Sequence, residues 1–132
     1  MRRLLLPIVL TIGLQSTHAI AEPETWLVKE GVEGEFHGVW TVTVGNDELS
    51  GFAQMFNAEG EPLTYTFSGK RVEDEFVVER ESPSNGIICS YRLKNTPQDT
   101  DGPLPISAPS TCNEKDQLWL ASKIPEQDNE AN

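Results

Sequence analysis

Between Phe36 and Lys123 apolar side chains recur at every second position, in runs of five to nine residues cut by glycine, asparagine and aspartate. An extended chain turns successive side chains to opposite faces, whereas a helix needs a repeat near 3.6, so this pattern commits the chain to antiparallel strands joined by tight turns. In the run Phe36–Val44, Trp40, Val42 and Val44 share a face. In 49–57, Phe52, Gln54 and Phe56 oppose Gly51, Ala53 and Met55. Residues 63–68 alternate cleanly, with Leu63, Tyr65 and Phe67 turned inward. Glu75–Glu81 places Phe76 and Val78 inward, 87–93 aligns Ile87, Cys89, Tyr91 and Leu93, and 117–123 sets Leu118 and Leu120 against Trp119 and Ala121. Turns are expected at 45–48, at 58–61 with Gly60 at positive φ, and at 69–71.

Six such strands form a meander with no helix to cover its apolar face. The sheet must curl into a barrel or fold over as a sandwich. An all-β, small antiparallel up-and-down barrel of about six to eight strands is the first expectation, with a sandwich second. Gly38, Gly51 and Gly69 would ease the curvature. Residues 22–35 read as an N-terminal arm with a short turn of helix, whose Trp26 packs onto the barrel domain of 36–124. The segment 94–111 carries Pro97, Pro103, Pro105 and Pro109, four prolines that are expected to exclude a helix and a central strand there. The acidic tail 125–132 lacks aromatics and is expected to be disordered.

The leader concerns export, not the fold. Arg2 and Arg3 precede an apolar run to Leu14, and Ala19 and Ala21 flank Ile20, the layout of a signal peptide over 1–21 cleaved after Ala21 or after Ala19. The run is too short for a membrane span, and no cysteine offers a lipid anchor. Periplasmic or secreted placement is therefore expected. In an oxidising compartment the two cysteines, Cys89 and Cys112, are expected to pair. Beyond the leader, eight basic residues face 21 acidic ones, a net charge of −13 against −11 for the whole chain. That sign argues against nucleic acid and anionic membrane surfaces as partners and suits a basic protein.

Catalytic constellations are missing. His37 is the one histidine beyond the leader, and no serine has a nucleophile-elbow setting. The sequence has neither a phosphate-cradling glycine loop nor metal-ligand spacing, so no cofactor and no metal are expected. Asp99-Thr100-Asp101-Gly102 resembles the opening of a calcium loop, but no ligands follow at the later positions. Whether Asp99 and Asp101 hold a cation stays open.

Gly38-Val39-Trp40, Leu49-Ser50-Gly51 and Tyr65-Thr66-Phe67-Ser68-Gly69 together resemble the opening rhythm of small secreted barrels of the avidin and lipocalin type. In those proteins a G-x-W begins the first strand and its tryptophan plugs the barrel base. The resemblance implies a barrel. It implies no biotin site, because Thr41 to Val44 lack the asparagine and serine ligands that hold the ureido group. Small periplasmic protease inhibitors are similar in size, export and single disulfide, without a shared motif.

Two functions follow as expectations. The first is an exported, non-enzymatic binding protein, of inhibitor or immunity type, contacting a basic macromolecule through 94–111. The second is a carrier of a small apolar ligand inside an aromatic barrel. Trp40, Tyr65 and Tyr91 in the interior, and Pro103 and Pro105 in the loop, are the candidate binding residues.

Overall fold

In a computed structural model, residues 22–81, 86–100 and 104–124 are described. The expected leader 1–21 and tail 125–132 lie outside them. Nine strands run through these residues: β1 (Glu24–Gly31), β2 (Phe36–Val44), β3 (Glu48–Phe56), β4 (Pro62–Val72), β5 (Glu75–Glu81), β6 (Ile88–Leu93), β7 (Ile106–Ser107), β8 (Ser110–Cys112) and β9 (Lys115–Lys123). The first six pair in chain order, β6 pairs β8, and β8 pairs β9. Strand β9 then returns to β1, from Trp26↔Lys123 to Gly31↔Leu118. Every pairing is antiparallel, and the sheet closes into an eight-stranded barrel with β7 as one extra strand. The barrel, not the sandwich, is the architecture. Closure leaves no long sheet edge, which an open meander would expose.

The arm expected at 22–35 is instead the closing strand. Trp26, Val28 and Glu30 of β1 point inward while Thr25, Leu27 and Lys29 point out. The inward charge on Glu30 and the outward Leu27 blur an alternation that is otherwise regular. A 3-10 turn follows at Val32–Gly34, between Gly31 at φ 104 and the start of β2. Gly31 is buried, and its left-handed backbone is one that other residues rarely adopt.

The proline-rich segment 94–111 also departs from expectation. Pro97–Asp99 is a 3-10 turn, and β8 is a central strand between β6 and β9. Strands β7 and β8 keep one register against β9, Ser107↔Leu120 and Ser110↔Gln117, with the Ala108 N–H donating to the Trp119 carbonyl at 3.2 Å between them. Pro109 interrupts the line but still accepts from the Arg92 N–H at 3.1 Å. Its missing N–H falls near the end of β6, where a lost ladder bond is tolerated.

Gly45–Asp47 and Gly60 (φ 83) make turns as expected. Gly69 does not turn: β4 continues to Val72 and the reversal falls at Glu73-Asp74, with Glu73 at φ 60. A Cβ at Gly69 would come within 2.6 Å of the Val77 carbonyl oxygen, so this glycine serves the close approach of β5. Gly51 likewise faces the Thr41 carbonyl at close range.

Inside the barrel, Trp26, Trp40 and Trp119 are each at most 1% exposed, and Tyr65, Phe67, Phe76 and Tyr91 are buried beside them. On β3 the small face is the inner one. Ala53 lies opposite both Trp40 and Tyr65, leaving room for their rings, while Phe52 and Phe56 face out.

Cys89 and Cys112 occupy one rung of the β6–β8 pair, with Cα atoms 4.0 Å apart and a disulfide between them. The bond ties the three-residue strand β8 into the wall across a sequence separation of 23. Replacing both cysteines with alanine is expected to lower stability by about 3 kcal/mol. Urea unfolding of oxidised wild type and the double variant measures it, and equal midpoints would count against a stabilising bond.

Candidate functional site

Two inward faces each carry one charged side chain that an apolar interior does not need. On β1 it is Glu30, in step with Trp26 and Val28; on β5 it is Arg80, in step with Phe76 and Val78. Both are buried, at 3% and 7% exposure. With Tyr65 on β4 and Tyr91 on β6 they form a single network near the end of the barrel where β1 meets β2.

Two hydrogen-bond relays converge on the Glu30 carboxyl. In one, Trp40 Nε1–H donates to Tyr65 Oη at 2.9 Å, and Tyr65 Oη–H donates to Glu30 Oε2. In the other, Arg80 Nε–H donates to Tyr91 Oη at 3.1 Å, and Tyr91 Oη–H donates to Glu30 Oε1 at 2.9 Å. The Arg80 guanidinium also lies over the Tyr65 ring, 4.1 Å from its centroid, a favourable cation–π arrangement. Its Nη2 approaches Glu30 Oε1 only to 4.0 Å. That is beyond hydrogen-bond reach, so the pair attracts through space without a direct bond.

Burial raises the Glu30 pKa, against the opposing pull of Tyr65, Arg80 and Tyr91. Burial first, and Glu30 second, push both tyrosines up, so each remains a phenol able to donate. Arg80 stays charged: burial lowers its pKa, but Tyr91 and its other neighbours raise it further.

Above this network the barrel opens into a cavity of about 310 Å³. Glu30 and Arg80 form its buried floor, and Phe36, Leu63 and Ile87 supply apolar wall. Polar rim is added by Glu35, Lys115 and Gln117. The opposite end is covered by the 94–100 segment. There Thr96 and Pro97 are buried, Asp99 Oδ2 accepts from the Thr96 N–H at 3.0 Å, and Lys123 Nζ donates to the Thr100 carbonyl at 2.8 Å.

Of the sequence-expected binding residues, Trp40, Tyr65 and Tyr91 come together, below the cavity and not on its surface. The interior beside them is filled by rings, so the candidate pocket is the open end and not a hollow barrel. Pro105 is far from them, exposed on the outer wall beside Leu27, His37 and Leu120. Pro103 and Asp101 lie outside the described residues. Asp99 is engaged in its capping turn, and among the described residues no cluster of histidine, cysteine or acidic side chains is arranged to hold a metal. Sequence reading missed Glu30 and Arg80. A signal existed for Arg80, since it falls two residues beyond Val78 in the alternation of Phe76 and Val78, on the face they turn inward.

Tyr65→Phe is expected to cost about 1–3 kcal/mol, because it leaves the Trp40 N–H without its acceptor and removes a donor from Glu30. Urea denaturation checks this, and a change of a few tenths would show that neither bond contributes.

No family model and no curated protein matches the chain. Among solved structures it is similar to a redesigned β-barrel, mFAP1, bound to DFHBI, with a TM-score of 0.59 and 20% identity over 77% of this chain and 94% of that one. What the two share is the barrel fold. No helix among the described residues is long and apolar enough to cross a membrane.

Proposed function

We propose that this protein is a non-enzymatic binding barrel that receives a small amphipathic molecule at its open end. The observation that carries the reading is the buried Glu30–Tyr65–Tyr91–Arg80 network at the floor of a cavity with an apolar wall and a polar rim. Burying an acid and a base in a hydrocarbon core costs free energy that well-packed apolar side chains would avoid. A site that must orient the polar end of a ligand has a use for them. The cavity volume of about 310 Å³ sits at the lower end of the roughly 300–1,000 Å³ range of ligand pockets, which favours a compact ligand. The similar barrel mFAP1 is described as bound to a small molecule, DFHBI, which supports the reading by analogy of fold only.

Export to an oxidising compartment belongs to the same proposal, supported by the disulfide. Docking of a basic protein on 94–111 has less support, since Thr96, Pro97 and Ala108 of that segment are buried against the barrel.

Backbone amide NMR tests the reading, with naphthalene-2-sulfonate and its neutral analogue naphthalene-2-sulfonamide as probes. Saturable shifts are expected at Gly31, Phe36, Leu63, Asn113 and Gln117, which surround the open end. Shifts confined to 94–109, or none with either probe, would overturn it.

A further inference from the structure

Arg80 is a buried cation whose nearest carboxylate is already committed. Both Glu30 oxygens accept from phenols, Arg80 bonds Tyr91 through Nε, and its Nη2 stands 4.0 Å from Glu30. Among the described residues no carboxylate approaches the guanidinium more closely, and the cavity reaches its floor at this pair. A guanidinium is a planar fork of donors suited to an oxyanion, and in a low-dielectric setting such a contact is strong. A cationic head group is disfavoured there, because it would meet Arg80 at the same spot. The whole chain carries −11, so the attraction must come from this local charge and not from the overall field.

We infer that the ligand taken at the open end carries a single carboxylate- or sulfonate-like anion, which occupies the Nη edge of Arg80 while Glu30 takes up a proton from solvent. The inference rests on the small-ligand reading above and specifies its chemistry. Two anions beside one buried guanidinium would leave one unpaired, and protonating Glu30 removes that excess. The carboxyl then keeps both phenol neighbours and gains an O–H of its own to donate. The groups facing the pair are Tyr65 from β4, Tyr91 from β6 and the Trp40 indole from β2, with Glu35 before β2 and Lys115 on β9 at the rim. Neither tyrosine releases a proton in the neutral range. Glu30 is thus the group placed to couple to the anion.

Isothermal titration calorimetry between pH 5 and 8, with the same two probes, tests this. The sulfonate and the sulfonamide keep their own charge states across that range, so pH dependence reports the protein. The sulfonate is expected to bind at least about tenfold more tightly than the sulfonamide at pH 6, and to weaken by up to about tenfold per pH unit as pH rises. Titrations in buffers of different ionisation enthalpy are expected to show up to one proton absorbed per sulfonate bound. In Glu30→Gln the sulfonate affinity should be higher than wild type at pH 8 and flat with pH; in Arg80→Met the preference for the sulfonate should vanish while the sulfonamide still binds. Equal binding of the two probes to wild type, or a preference that survives Arg80→Met, overturns the anion assignment. A pH-independent wild-type affinity without proton uptake overturns the exchange with Glu30, whether or not the variants fold. If neither probe binds, the small-ligand reading itself fails, and the inference with it.

Discussion

Trp40→Ala is expected to destabilise the barrel by about 3–5 kcal/mol, the range for deleting a large, fully buried aromatic side chain. Trp40 is the hub of the interior. Its ring stacks 4.0 Å from Phe67, meets Tyr91 and Trp119 at 5.2 Å, and lies 6.2 Å from both Tyr65 and Trp26. Those partners come from β1, β4, β6 and β9, so the cavity left by alanine would sit between opposite walls of the barrel. Collapse cannot fill it without dragging closed strands together. Loss of the indole N–H also strips a donor from Tyr65, which in turn holds Glu30. Against a total of roughly 5–15 kcal/mol, this is a large fraction of the fold's stability. Urea unfolding followed by far-UV circular dichroism measures it, and a loss below about 1 kcal/mol would mean that the ring cluster is not the centre of the core.

A comparable effect, about 3–5 kcal/mol, is expected for Glu30→Ala, by a different route. The substitution removes little apolar contact. It leaves Arg80 as a buried cation without its nearby anion and two phenol donors without their acceptor. Combining it with Arg80→Met should cost less than the two single losses added together, because the second change removes the stranded charge. Strict additivity would show that the pair is not coupled.

Glu30 also sets a sign for pH dependence. Its folded-state pKa lies above the ordinary value of about 4.5 because burial disfavours the charge. The folded protein therefore holds that proton more tightly than the unfolded chain does. The stabilisation is complete below about pH 4.5 and declines as pH rises through the raised value. Glu30→Gln cannot titrate at this position. The stability of wild type relative to Glu30→Gln is accordingly expected to fall across that window and then level off, as read from urea midpoints at successive pH values. A difference that grows with pH would contradict the direction.

Much of the wall could be read without coordinates. Period-two alternation places Trp40, Val42, Tyr65, Phe67, Phe76, Val78, Cys89 and Tyr91 on inner faces, where the structure has them. The turn near Gly60 and the cysteine pairing were equally legible. Two segments were not. Strand β1 is short of apolar residues and places a charge inward, so it looks like a polar arm until β9 is seen to need a partner. Strand β8 is three residues long and preceded by prolines, and it is a strand because β6 and β9 flank it on both sides.

The candidate site divides the same way. Sequence alone determined that the chain is built of antiparallel strands with an aromatic interior, because the alternation of side chains along an extended backbone is a local property. It also marked Tyr65 and Tyr91 as inward-facing polar groups. Only the tertiary structure decided what they face. Glu30 and Arg80 are 50 positions apart in the chain, and closing the barrel through β1 and β9 is what brings them to one floor. Which end stays open was likewise decided by the fold, since the 94–100 segment buries Thr96 and Pro97 at the other. Long-range closure of this kind is set by pairing between distant strands, for which a single run of residues carries no local signal.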